Sequence, residues 1–461
     1  MAVSPLVLIK QSPKLHSWAW YLVPLNACGN GFGLFVPLYL LQLGGSVVEV
    51  ALAAFLTGLA NTVGSFVWGK LIDTLSWRAT AVFISAISTL TISLATYFVS
   101  DVSSVTSLWT LLGFMTAGGG PATNLLIMQR SKREDWSDTF SWTSLISNGG
   151  IVIGMVAGFI WLAYTNDVHT YALACSVIAA TAALVVLPLF KSERKEFNQK
   201  KRGDNNQQTI LTIIHSFLHG IALLLKTFNS NAKNMFNELL SHSLYAGNHS
   251  DHPIQIRPRI VNKRQLLFFA GVGVFFLSGN LFYTPYTPYL KANGITDSQV
   301  FLAYTVLTVS KVLFLPFNSR IVVAAGGEQR MAKLSYIPRA AGTGVAIAAA
   351  LLAIGNSNMI FVITLLSFVS VDVAFSIWSI TTTSSLMKMV QSGRAGKIFG
   401  VNQAVTGLGL IIGSIVGGEV AGAFGYAATF SLAIVALAVS LALIAGSFRS
   451  EKASIKVHVK P

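Results

Sequence analysis

The sequence predicts an all-α membrane protein: twelve transmembrane helices in two pseudo-symmetric six-helix bundles. Three observations predict it. Of 461 residues, 53% are hydrophobic and 11% charged, with a mean hydropathy of +0.63, whereas a soluble domain carries about a quarter charged residues. Apolar stretches of about 20 residues, the length that crosses a bilayer as helix, recur along most of the chain. The later spans also repeat the earlier ones.

Span 1, residues 18–43, holds Asn26, Asn30 and Pro37 in an apolar setting. The nine residues at the start are too short to span, and no small-residue cleavage site follows span 1. It is therefore expected to be a retained helix rather than a signal peptide. Span 2 (47–69) carries Asn61 and leads through GKLIDTLSWR into span 3 (79–100); span 4 (104–128) carries Asn124. Span 5 (139–164) has Thr143, Asn148 and glycines at 150, 154 and 158, a spacing that favours close helix packing. Span 6 covers 168–190. Cys28 and Cys175 fall inside spans, and two cysteines make no disulfide framework. Both are expected to be packing residues.

Residues 191–264 form the one long polar tract, basic at both ends. Inside it, Ile210, Ile213, Phe217, Ile221 and Leu224 share one helical face. An amphipathic helix lying on a membrane surface or against the bundle is expected there, since a thirteenth span would invert everything after it. His215 and His219 stand four apart, a spacing that can chelate metal. No cysteine or paired acid accompanies them, so no metal site and no cofactor are expected.

Span 7 (265–290) ends in GNLFYTPYTPYL, where Pro285 and Pro288 remove backbone donors and Tyr283, Tyr286 and Tyr289 interrupt an aliphatic run. A bend in its outer third is expected. Spans 8 (298–323), 9 (334–354), 10 (359–387), 11 (398–423) and 12 (426–448) complete the set. Three charged residues are read well inside these spans: Lys311, Asp372 and, near the far end of span 11, Glu419.

The formal charge of +15 follows topology rather than nucleic acid. Lys70, Arg78, Arg130, Lys132, Arg133, Arg330, Lys333, Lys388, Arg394, Lys397 and the basic tail fall on one side, whereas the opposite connections contain only Lys291. By the positive-inside rule both termini are expected to be cytoplasmic, in a multi-pass protein of the cell membrane.

Two matches carry the repeat. At a shift of 250, Gly29/Gly279, Asn30/Asn280, Phe32/Phe282, Tyr39/Tyr289, Leu40/Leu290 and Gly44/Gly294 are identical. At a shift of 259, Phe140/Phe399, Gly150/Gly409, Ile153/Ile412, Gly154/Gly413 and Gly158/Gly417 coincide. The expected organisation is therefore a first half (1–190), a cytoplasmic linker (191–264) and a second half with its tail (265–461).

This plan resembles the major facilitator superfamily, and the resemblance covers the chain except for the central tract. Its best local match is Gly69–Arg78, against a family pattern Gly-x-Leu-x-Asp-Arg-x-Gly-Arg-Arg. Gly69, Leu71, Asp73 and Arg78 match, while Thr74, Ser76 and Trp77 depart. The resemblance implies a cytoplasmic gate at Gly69, Asp73 and Arg78. It also implies a central path lined by spans 1, 4, 7 and 10. Proton-coupled exporters of this superfamily carry an arginine early in span 4, where this chain has Gly113. They also carry a Gly-Pro signature in span 5, and this chain lacks its proline.

Within that frame, Asn26, Asn30, Asn61, Asn124, Gly279, Asn280 and Tyr283 are the candidate cavity residues. Pro285, Tyr286 and Pro288 are candidates for an outer gate, with an interfacial aromatic belt as the alternative for Tyr286 and Tyr289. Lys311 lies 13 positions into span 8 and Asp372 13 into span 10, so both sit roughly 20 Å down. An ion pair is expected, because each partner reduces the other's desolvation cost. The expected function is secondary transport of a small organic solute by alternating access, coupled to protons through Asp372 and Lys311, by a monomer in the bilayer. An uncoupled facilitator and a non-transporting sensor are the alternatives. The absence of a Walker-type phosphate loop argues against nucleotide-driven pumping. The absence of clustered histidines or paired acids in the spans argues against metalloenzyme chemistry, and no enzyme is expected.

Overall fold

The computed structural model describes residues 17–75, 78–130, 136–201, 263–314, 327–352, 356–389 and 395–458. The amphipathic segment expected near 209–225 and the histidines of the linker lie outside the described residues. After a short 3-10 turn at Ser17–Tyr21, every further element of the described chain is an α-helix. The helices are α1 (Leu22–Gln42), α2 (Val47–Leu75), α3 (Arg78–Tyr97), α4 (Val102–Thr116), α5 (Gly119–Arg130), α6 (Trp136–Thr165) and α7 (Val168–Lys201). They continue with α8 (Lys263–Ala292), α9 (Asp297–Phe314), α10 (Glu328–Leu334), α11 (Tyr336–Leu351), α12 (Ser357–Met389), α13 (Ala395–Phe424) and α14 (Tyr426–His458). Among the described residues, nine of these stretches are long and apolar enough to cross a membrane. The chain is a multi-pass membrane protein.

The bend expected at Pro285 and Pro288 is not a break: α8 runs continuously to Ala292 with both prolines inside it. The interruption falls in span 4 instead, where α4 ends at Thr116 and α5 begins at Gly119. Pro121 has no N–H to give the Ala117 carbonyl, and three glycines precede it. The Trp68 indole of α2 lies against Gly118 and donates to the Phe114 carbonyl at 3.1 Å. A side chain from a neighbouring helix thus satisfies backbone that the break sets free, as an apolar surround requires.

The chain forms two compact units. The first takes in 1–36 and 63–225, and the second 37–62 and 226–461, so α1 and α2 each contribute to both. In the first, α3 packs along α7, with Ser93 and Ser176 hydroxyls 3.0 Å apart in the seam. Glycines set α6 against α1. A Cβ on Gly150 would meet the Val23 carbonyl oxygen at 2.5 Å, and one on Gly154 would collide with that of Ala27. Buried Cys28 donates to the Cys175 carbonyl at 3.0 Å.

In the second unit α8 is sandwiched between α13 and α14, and α11 packs on α12 and α14. Gly409 is backed onto the Gly273 carbonyl, and a Cβ on Gly413 would meet that of Leu277 at 2.5 Å. These two contacts are the α6–α1 contacts shifted by 259 on one helix and 250 on the other, so the two sequence matches meet in space in each unit. The N-terminal stretch of α2 packs on α13 within this unit, with Gly418 against Ala51, Gly422 against Val48 and Gly58 against Ile411. With lipid outside, helices gain little from hydrophobic burial against each other; small-residue approach and buried hydrogen bonds hold them.

Candidate functional site

One face of α8 presents Phe275, Gly279 and Tyr283, each four residues from the next. Its rings and backbone are fixed by a polar chain through the second unit. The Ser440 hydroxyl of α14 donates to the Gly271 carbonyl at 2.7 Å and lies 2.8 Å from the Tyr336 hydroxyl of α11. The Trp378 indole of α12 donates to that same tyrosine oxygen at 3.2 Å. Trp378 in turn stacks on Phe275, with ring centroids 3.6 Å apart.

Against this wall lies Arg339 of α11, only 3% exposed. Its guanidinium carbon sits over the Phe275 ring, 4.1 Å from the centroid. The position a Cβ would take on Gly279 is 3.1 Å from Arg339 Nη2, so glycine there leaves space for the cation. Close α11–α12 packing brings Arg339 towards Asp372. Gly342 fits onto the Ser367 carbonyl and Val371, while the Ser367 and Ser370 hydroxyls donate to the Gly342 and Pro338 carbonyls at 2.7 and 2.6 Å.

Asp372 is 5% exposed, and its Oδ2, like Arg339 Nη1, is buried without a hydrogen-bond partner. Lys311 and Arg339 both act on its charge. The expected Lys311–Asp372 ion pair does not form. Lys311 Nζ instead lies over the Phe375 ring, 5.4 Å from the centroid. The negative face of the ring quadrupole attracts the ammonium there. Asp372 is thus one acid between two cations.

The other expected residues fall as follows. Asn280 does not offer its amide to open space: it donates to the Leu410 carbonyl at 2.9 Å and to Ser414 Oγ at 2.7 Å, joining α8 to α13. Tyr286 is enclosed by Phe282, Phe368 and Phe430, and Pro285, Pro288 and Tyr289 are also buried. These side chains belong to the interior of the second unit rather than to an aromatic belt. Asn26 and Asn30 are partly exposed on α1 and donate to the carbonyls of Leu22 and Asn26, one turn back. Asn61 is exposed on α2. Gly69 lies on α2 and Arg78 opens α3, while the side chains of Asp73 and Asn124 lie outside the described residues. Glu419 is exposed on α13. No group of three metal-ligating side chains occurs among the described residues.

The charge that sequence reasoning missed is Arg339. It follows Pro338 near the start of span 9, where a cation reads as topology. The available signal was helical register: Arg339 shares its face with Tyr336, Gly342, Thr343 and Ala346, all buried.

Spanning helices set together by glycines hold ionisable groups inside one bundle, the build of a multi-pass membrane protein. The sequence profile of the Major Facilitator Superfamily matches residues 19–406, and the chain belongs to that family; it is a transporter and not an enzyme. No curated protein sequence matches it. Among solved structures, the peptide transporter POT in complex with alafosfalin is similar at TM-score 0.70 and 11% identity, covering 97% of this chain and 99% of that one. The nucleoside transporter NupG is similar at TM-score 0.63 and 13% identity, over 94% and 98% of the two chains. A bacterial metal transporter is similar at 0.61 and 12%, over 95% and 99%. At these identities the likeness is one of fold.

Proposed function

We propose that this chain is a secondary transporter that moves a small organic solute across the cell membrane by alternating access, coupled to protons through Asp372. Twelve spans form two pseudo-symmetric six-helix halves, 1–190 and 265–461, joined by the linker 191–264. Both termini are cytoplasmic and the chain works as a monomer. Asn26, Asn30, Asn61 and Asn124 contribute neutral polar groups from the first half. The connection with Gly69, Asp73 and Arg78 serves as the inner latch, and the outer end of α8, with Pro285, Tyr286 and Pro288, seals the outer mouth. Relatives of the same fold carry peptides, nucleosides or metal, so the cargo has to be read from the site.

One observation carries the coupling: a buried acid with an unsatisfied oxygen between Lys311 and Arg339, ion-paired to neither. Either cation or a proton can claim it, and a movement of α9 or α11 that changes the distances changes which one does. The test is cargo uptake into proteoliposomes with and without an imposed pH gradient. Asp372→Asn is expected to lose gradient-driven accumulation and to retain downhill exchange. Full accumulation by the variant would refute the role of Asp372. Indifference of the unmodified protein to the gradient would make it an uncoupled facilitator.

A further inference from the structure

The buried charges of the second unit do not balance. Lys311 and Arg339 bring two cations to the single acid Asp372, and no other charged group among the described residues bears on it. None of the three side chains donates or accepts a hydrogen bond within the described protein, and Arg339 Nη1 and Asp372 Oδ2 are both buried. A buried guanidinium without an acceptor is costly, and buried polar groups in native proteins are nearly always satisfied. The arrangement therefore calls for acceptor oxygens from outside the chain.

We propose that Lys311, Arg339 and Tyr283 form the head-group site for a monoanionic carboxylate cargo with an aromatic or alkyl body. The inference rests on the solute-transporter reading and names the cargo class. The charge count fits the class: one proton on Asp372 taken up with one monoanion leaves the cluster at the same single net positive charge that it carries with Asp372 ionised. Guanidinium and ammonium groups are the preferred partners of carboxylates, through charge-assisted hydrogen bonds. The surround selects the body, since Phe275 and Phe375 wall the cluster. Lys311, Tyr283 and Phe375 are partly exposed and give the site an accessible edge, with Arg339 and Asp372 behind it.

Asp372 then competes with the cargo. Ionised, it holds part of the cationic field; protonated, it leaves both cations to the incoming carboxylate. The groups facing it are Lys311 from α9, Arg339 from α11 and Tyr283 from α8, with none from α10. Binding is tighter at acid pH, and one proton on Asp372 travels with one anion.

The experiment is thermal unfolding of the purified full chain in detergent with benzoate, benzamide and benzylamine, which share one body and differ in charge. Benzoate is expected to raise the unfolding temperature and the other two are not. Arg339→Gln and Lys311→Gln should each weaken the benzoate effect about tenfold in concentration. Asp372→Asn should strengthen it and remove its pH dependence, an outcome that a purely bracing acid would not produce. If Arg339→Gln does not fold, Lys311→Gln at the accessible edge carries the test. Equal stabilisation by benzamide, no response to benzoate, or a response unaffected by Lys311→Gln would each overturn the proposal. In proteoliposomes, uptake of neutral or cationic solutes without benzoate uptake would overturn the anion site and leave the transporter reading standing. Benzoate binding without movement of any solute would keep the site and overturn transport.

Discussion

Gly29 and Gly279 occupy the same register of two helices related by the 250-residue repeat, and they face different surroundings. A Cβ on Gly29 would meet nothing within 4 Å, whereas one on Gly279 would crowd Arg339 at 3.1 Å. One turn along, α1 has Gly33 where α8 has Tyr283, and one turn back Leu25 stands for Phe275. A few ångströms away the two helices agree again. Gly150 and Gly154 seat α6 on α1 as Gly409 and Gly413 seat α13 on α8. The backbone-to-backbone seam is shared by both units, while the buried charged side chains among the described residues, Arg339 and Asp372, lie in the second. The seam is common because it tolerates no atom more; the faces differ because each has its own neighbours.

The strongest way to break this comparison is at the seam. Gly154→Val and Gly413→Val both drive a side chain into a backbone carbonyl on the partner helix, which cannot move aside as a flexible side chain can. Each is expected to cost about 3 kcal/mol, the upper end for overpacking, and the two losses should be similar. Unfolding temperature in detergent is the measure. If one unit absorbs the change at no cost, the two seams are not equivalent.

A smaller effect separates the glycines that face differently. Gly279→Ala pushes on the end of the Arg339 side chain, which can yield by a few tenths of an ångström, at an expected cost of about 1 kcal/mol. Gly29→Ala meets open space and restricts the unfolded chain, so it should be neutral or mildly stabilising. Equal losses for the pair would mean that the Arg339 contact carries no energetic weight.

What was legible in the sequence follows from the same contrast. Helix spans, the glycine seams and the turn glycines announce themselves because length, apolarity and close approach each leave few residue choices. Gly44 and Gly294, matched in the repeat, both adopt positive φ (85° and 76°) at a helix end, where only glycine sits without strain. The candidate site was half legible. Asp372 and Lys311 stood out as charges in mid-span, but the ion pair inferred from equal depth does not form, because depth along two helices says nothing about rotation about their axes. Arg339 escaped because it lies near a span end, where arginine is ordinary. Pro285 and Pro288 lie within a continuous α8, and the interruption falls instead inside span 4, between Thr116 and Gly119.

The finest comparison is at the turns that lead into α2 and α9. Ser46 and Glu49 form a capping box at the start of α2, with the Ser46 N–H and hydroxyl donating to Glu49 Oε2 at 2.7 and 2.8 Å. Thr296 and Gln299, 250 residues on, make the same box at the start of α9, with donor distances to Gln299 Oε1 of 3.0 and 3.1 Å. The geometry is shared, yet only the first box is charged. A carboxylate in the first turn of a helix is favoured by the helix dipole, and α9 has not lost that interaction: Asp297 supplies it, ion-paired to Lys291 at 2.7 Å. Those two residues stand where the first half has Val47 and Leu41. The reciprocal exchanges should therefore be unequal. Glu49→Gln removes the only acid in the first turn of α2 and should cost about 0.5 kcal/mol at low salt, since the group is exposed. Gln299→Glu adds a second acid beside Asp297, and repulsion between the two should cancel most of the dipole gain, leaving stability unchanged. Unfolding temperatures at low and high salt decide it, because an exposed charge effect fades as the Debye length shortens. If Gln299→Glu stabilises as much as Glu49→Gln destabilises, the Lys291–Asp297 pair is not the second half's substitute for the charge on Glu49.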